Sequence, residues 1–152
     1  MKYREFGNSG IKVSEIGFGA WAIGGSEHGN SYGATEDKVS QEAIGRALEL
    51  GCNFFDTADV YGFGHSEELL GKSLKSCRDK VVIATKVGGD FYRGAGRQNF
   101  SHEYIRFALD KSLERLRTDY IDVYQLHNLS MKLIERLIRF MPLAFAAQAE
   151  KA

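Results

Sequence analysis

The sequence predicts an α/β fold in which parallel strands alternate with helical crossovers, preceded by a short β-hairpin. Three observations carry that reading. Short apolar runs recur along the chain, stretches with apolar residues three and four apart lie between them, and glycine or a capping hydroxyl marks the junctions.

The elements follow in order. Residues 3–6, a turn of Gly7, Asn8, Ser9 and Gly10, and residues 11–13 form the expected hairpin, since Gly and Asn supply the positive φ of tight turns. Residues 16–20 are a first strand. Residues 36–50 are a helix with Val39, Ala43, Ala47 and Leu50 at helical spacing, Thr35 placed to cap it and Gly51 to end it. Residues 53–56 are a second strand, and Ser66 is placed to cap a helix with Glu67 and Glu68 in its first turn. The run KVVIAT (80–85) is rich in β-branched residues, as a strand covered on both faces requires. Ser101 caps a third helix through Ile105, Ala108, Leu109, Leu113 and Leu116, and residues 120–126 are a fourth strand. The glycine-rich segment 88–100 reads as a surface loop over a site.

With 20 Lys and Arg against 20 Asp and Glu, no long-range field favours nucleic acid or an anionic membrane. The expected partner is a small molecule. No run approaches the ~20 apolar residues of a membrane span, and Cys52 and Cys77 lack the framework of a disulfide-stapled domain. The expectation is a soluble, cytoplasmic protein with free thiols. His28, His65 and His102 show no metal-ligand spacing, so no metal site is expected.

Asp56 closes the second strand, Tyr61 follows five residues later, Lys86 closes the third strand and His127 the fourth. In parallel (β/α)8 barrels the C-terminal strand ends carry the active site, so these side chains converge on one rim. A tyrosine phenol titrates near ~10 and is a weak proton donor, but a neighbouring ammonium favours its anion. Lys86 can supply that charge, Asp56 can hold Lys86, and His127 can donate to a carbonyl oxygen. Side chains cannot deliver hydride, so a reductase built on this rim needs a nicotinamide cofactor.

Three ordered segments carry a resemblance. GCNFFDTADVYGFGHSEELLG (51–71) resembles the first signature of the aldo-keto reductases, VVIATKVGG (81–89) their catalytic-lysine strand, and DYIDVYQLHN (119–128) the strand ending in their catalytic histidine. FGNSGIKVSEIGFGAWAIGG (6–25) is similar to the family's opening hairpin and first barrel strand. The resemblance implies the TIM (β/α)8-barrel family, of which about four βα units are present here. It further implies NADP-dependent reduction of an aldehyde or ketone, with Tyr61 as proton donor, Lys86 and Asp56 tuning it and His127 orienting the substrate oxygen. Gly19, Ala20, Trp21 and Asp56 would lie beside the NADP(H) nicotinamide.

Each site residue also has an ordinary reading: a turn aspartate, a loop tyrosine, a solvated strand-end lysine, a satisfied histidine. Their order within three family-like segments favours the functional one. The G-x-G-x-x-A pattern from Gly17 to Ala22 is a weak dinucleotide-loop signal, because the glycine- and serine-rich residues 23–35 follow it instead of a helix.

Texture changes late in the chain. All 17 glycines lie at or before Gly96, and the one proline is Pro142. Residues 1–136 read as the N-terminal half of the barrel and residues 137–152 as a divergent tail, expected to be out-of-frame sequence, with an apolar helix over 132–141. A catalytically inactive truncated fragment or binding module is the alternative reading. Half a barrel leaves open sheet edges, which favour self-association. Light scattering of the purified chain is expected to show oligomers or aggregates; a monodisperse monomer with a sharp, reversible melt would refute this.

Overall fold

The computed structural model describes residues 1–94 and 97–135. Strands β1 (Tyr3–Glu5) and β2 (Lys12–Ser14) pair antiparallel, with Tyr3 opposite Ser14. Positive φ values at Gly7 and Gly10 make the turn between them. All of β1 is exposed, so the hairpin is tied down by polar contacts. The Tyr3 hydroxyl donates to the Gly51 carbonyl at 2.8 Å, and the Asn53 side chain accepts from the Ser14 amide and donates to the Lys12 carbonyl.

The body is a four-stranded parallel sheet in the order β3 (Phe18–Gly19), β4 (Phe54–Asp56), β5 (Val82–Val87) and, at the far side, β8 (Val123–Leu126). Helices α1 (Asp37–Glu49), α2 (His65–Leu74) and α3 (His102–Leu116) make the crossovers. A small antiparallel pair, β6 (Gly89–Asp90) with β7 (Arg97–Gln98), folds part of the expected loop back on itself. The hairpin followed by strand–helix units bears out the predicted class. The strands are shorter than their apolar runs suggest: Ile16 is 68% exposed and lies outside β3, and β8 starts three residues late. The expected tail and its helix lie outside the described residues. Among the described residues no helix is long and apolar enough to cross a membrane.

Strand β5 is buried at every position but Lys86, because helices cover one face and the neighbouring strands flank it. Ile83 and Phe55 meet Ile44 of α1, Leu69, Leu70 and Leu74 of α2 and Leu116 of α3 in one cluster. Each such side chain, fully withdrawn from water, contributes roughly 1.5–3 kcal/mol. The buried stripe of α3 is Tyr104, Ala108, Ser112 and Leu116, an i, i+4 row. Ser101 caps α3 as expected, its hydroxyl accepting from the Tyr104 amide.

Three local expectations are corrected. Helix α1 buries Ser40 and Ile44, leaving Val39 and Leu50 more than half exposed; the small Ser40 occupies the core-facing row, and residue type alone had pointed one position away. Thr35 does not cap α1, whose N-cap is Glu36 with no side-chain bond, and the buried Thr35 hydroxyl has no partner among the described residues. Ser66 is inside α2, and its hydroxyl donates to the Ala20 carbonyl and meets the Thr57 hydroxyl, bonding between elements in place of capping.

Polar groups are also enclosed in this core. Glu67, fully buried, accepts from the Thr85 hydroxyl at 2.6 Å and from Arg115 Nε at 2.7 Å. Arg115 also donates to the Tyr92 hydroxyl. Asp59 is fully buried beside this pair, and neither of its carboxylate oxygens has a hydrogen bond of good geometry among the described residues, although the Val60 and Gly88 amides lower its pKa somewhat. Burial first, then the Glu67 carboxylate, push the Asp59 acid up to about 7.

Helices α2 and α3 touch backbone to backbone at Gly71, where a Cβ would strike the Arg115 carbonyl oxygen and come within 2.7 Å of the Leu116 carbonyl carbon. Gly71→Ala is therefore expected to lower stability by about 2–3 kcal/mol in urea denaturation; a loss below ~0.5 kcal/mol would show that the helices can part freely. For Asp59 the folded state binds the proton more tightly than the unfolded chain. Its contribution is full below about pH 4 and is lost as pH rises through 7. Asp59→Asn removes that titration, so the variant should gain on wild type by on the order of 2–4 kcal/mol between about pH 4 and 8. Parallel stability–pH curves for the two proteins would contradict this.

Candidate active site

The C-terminal ends of the parallel strands bring the predicted residues together. Asp56 is the last residue of β4, Lys86 lies one residue inside the end of β5, and His127 directly follows β8, its amide donating to the Val87 carbonyl at 2.8 Å. Lys86 thus does not close its strand, as the sequence suggested; Val87 does, because its pairing with Leu126 continues the ladder one step further. Lys86 Nζ donates to Asp56 Oδ1 at 2.5 Å and to the Thr57 carbonyl at 2.8 Å. The parallel register of β4 and β5 sets this pair, with Asp56 opposite Ala84, two residues short of Lys86.

Tyr61 is held by backbone on both sides. Its amide donates to the Ala58 carbonyl, and the next residue's amide donates to the Asn30 carbonyl. The Lys86 ammonium lies 5.1 Å from the centre of the Tyr61 ring, and the His127 ring meets that ring edge-on at 5.7 Å. Trp21 lies 6.0 Å from Tyr61, with its indole N–H donating to the Asn30 carbonyl. Burial, then the Lys86 charge, hold the His127 imidazole below its ordinary pKa, so it is neutral at neutral pH.

These groups border a cavity of about 620 Å³. Trp21, Phe63 and Phe91 contribute aromatic walls, while Arg97, Gln98 and Asn128 supply polar groups on its margin. Two wall residues, Phe63 (φ 48°) and Asn128 (φ 56°), have left-handed backbone, a conformation found where surrounding structure enforces it. Phe63, Phe91, Arg97 and Asn128 were not singled out from the sequence. Their signal was faint: the loop 88–100 pointed to a site, but the fold of β6 and β7 decides which of its side chains reach the cavity.

The residues expected beside a nicotinamide divide. Trp21 faces the cavity. Gly19 is exposed, and a Cβ there would meet nothing within 4 Å, so protein packing leaves open room at this backbone. Ala20 is fully buried in the core, its amide donating to the Asp56 carbonyl and its carbonyl accepting from Ser66. Asp56 is occupied by Lys86. Away from this rim, the structure joins two histidines the sequence kept apart: His28 and His65 stack with ring centres 3.8 Å apart, and His65 Nε2 lies 2.8 Å from Asp37 Oδ1.

Comparison with known proteins agrees with this architecture. A model of the aldo/keto reductase family matches residues 15–141. The chain is 43% identical over 129 residues to the aldo-keto reductase YhdN of Bacillus subtilis, covering 84% of this chain and 38% of that protein. It is 39% identical over 138 residues to an NADH-specific methylglyoxal reductase of Escherichia coli, covering 84% and 42%. The holo form of aldo-keto reductase AKR11C1 from Bacillus halodurans matches with a TM-score of 0.75 at 40% identity, covering 87% of this chain and 42% of that one. The chain thus spans about two fifths of the length of these proteins. A match from residue 15 to residue 141, joined to a parallel sheet whose strand ends carry this rim, establishes that the chain belongs to the aldo/keto reductase family.

Proposed function

We propose that this chain carries the carbonyl-reducing rim of a nicotinamide-dependent oxidoreductase, acting on an aldehyde or ketone. The observation that supports this most directly is the convergence of Tyr61, His127 and the Asp56-held Lys86 on one largely aromatic cavity. A carbonyl oxygen seated between the Tyr61 hydroxyl and the His127 ring meets two neutral hydrogen-bond donors in a partly desolvated site. As negative charge grows on that oxygen, Tyr61 transfers its proton to it, and Lys86 stabilises the charge left on the phenol oxygen. Asp56 fixes the Lys86 ammonium within reach. In the oxidative direction the same Tyr61 oxygen takes the proton from an alcohol.

The residues present suit the nicotinamide end of the cofactor: Trp21 offers an aromatic face beside the cavity, and the open space at Gly19 admits a flat ring close to the backbone. When bound, the cofactor supplies the hydride. Family resemblance points to NADP(H), and the NADH-specific name of the E. coli relative makes the comparison of the two cofactors part of the test.

A second reading, a chain that keeps the rim without turnover, draws support from the sheet itself. Among the described residues β3 and β8 each pair on one side only, and these edges offer a surface for self-association. Quenching of Trp21, the one tryptophan, separates the readings. Saturable quenching by NADPH or NADH, together with turnover that Tyr61→Phe lowers by roughly 10²–10⁴-fold while leaving quenching intact, is the expected result. A folded chain that neither cofactor quenches would favour the second reading.

A further inference from the structure

Outside the catalytic rim, three segments distant in sequence bring metal-binding groups to one place. His28 comes from the loop between β3 and α1, Asp37 is the first residue of α1, and His65 is the first residue of α2. One ligand atom from each lies within 4.8 Å of the other two. The His28 and His65 rings stack at 3.8 Å, and His28 makes no side-chain hydrogen bond among the described residues. We propose that His28, Asp37 and His65 form a binding site for a divalent transition-metal ion of the zinc class.

The chemistry of the donors selects that class. Two imidazole nitrogens and one carboxylate oxygen suit Zn²⁺ or Co²⁺ better than Ca²⁺ or Mg²⁺, which prefer all-oxygen shells. Ligand bonds of about 2.0–2.2 Å around a tetrahedral ion put neighbouring donor atoms roughly 3.3–3.5 Å apart. The His65–Asp37 contact at 2.8 Å must open slightly, and the remaining separations must close by no more than about 1.5 Å. His28 and Asp37 have the freedom to do so: their side chains are 44% and 48% exposed, while His65, at 11%, is the fixed member. Glu27 adds negative charge nearby, its carboxylate 4.0 Å from His28 and held below its ordinary pKa chiefly by its own backbone amide. Three protein ligands leave a fourth position for water.

The site has a structural consequence for the rim. Asn30, two residues after His28, accepts hydrogen bonds from the Trp21 indole and the Gly62 amide. His65 begins the helix that follows Tyr61 by four residues. An ion on the triad would staple this loop to both helix starts and damp its motion relative to Trp21 and Tyr61.

The test uses the 152-residue chain, freed of metal by chelation and titrated with CoCl₂ and ZnCl₂. One equivalent of Co²⁺ should give visible d–d absorption without thiolate charge-transfer bands, Zn²⁺ should displace it, and saturation should raise the melting temperature. His28→Ala and Asp37→Asn, both at exposed positions, should each weaken binding at least roughly tenfold, since even outer-shell partners are worth that much. His102→Ala should change nothing. Binding that survives both substitutions, thiolate bands from Cys52 or Cys77, or no binding by a folded chain at millimolar metal would each overturn the proposal.

Discussion

The buried Glu67–Arg115 pair is the interaction on which much of this architecture depends. Glu67 has no exposure at all, and its two oxygens reach in different directions, one to Thr85 on β5 and one to Arg115 on α3. A charge so enclosed is tolerable only when paired and hydrogen-bonded, and loss of one partner typically costs about 3–5 kcal/mol. The pair therefore fixes α2 against both the sheet and the neighbouring helix. Arg115 extends the same constraint outward, donating to Tyr92 and lying 6.0 Å over the Phe91 ring, so the wall of the cavity is anchored in the core.

That anchoring shapes the chemistry at the rim. The loop from Thr57 to Gly64 is held at Thr57 by Ser66 and Lys86, at Asp59 by the Lys86 carbonyl and at Gly62 by Asn30. Tyr61 therefore has little freedom to drift from Lys86 and His127. Preorganisation of this kind lets donors act on developing charge without first reorganising. The neutral state of His127 matters in the same way, because a charged imidazole beside Lys86 would repel the ammonium that the site needs.

Strand ends were legible because β-branched runs such as VVIAT have few alternatives, and a polar residue at the end of such a run has to emerge at the rim. Asp56 and His127 were placed on this ground, with Lys86 one residue off. Helix faces were harder to read. Ser40 and Ser112 point into the core, where a small hydroxyl residue permits close packing, and a hydrophobicity stripe passes over both. Ser66 and Glu67 looked like a helix start, since a hydroxyl followed by acids is the usual capping pattern; that both are buried follows from partners 18 and 48 residues away from Glu67. The meeting of His28 with His65 was invisible for the same reason: no local spacing encodes a contact made by the fold.

Gly24 and Gly62 join the two loops that bear Trp21 and Tyr61. A Cβ on Gly24 would come within 2.8 Å of the Gly62 amide nitrogen, and one on Gly62 would strike the Gly24 carbonyl oxygen. Two main chains in direct contact leave no side chain between them to vary. The aromatic pair on that side of the cavity is thus an inherited, invariant jaw, whereas the opposite jaw, made by Phe91 and Arg97 on the β6–β7 segment, tolerates exchange. Diversification of substrate preference in a chain of this design would be recorded in the second jaw, with the first conserving the chemistry.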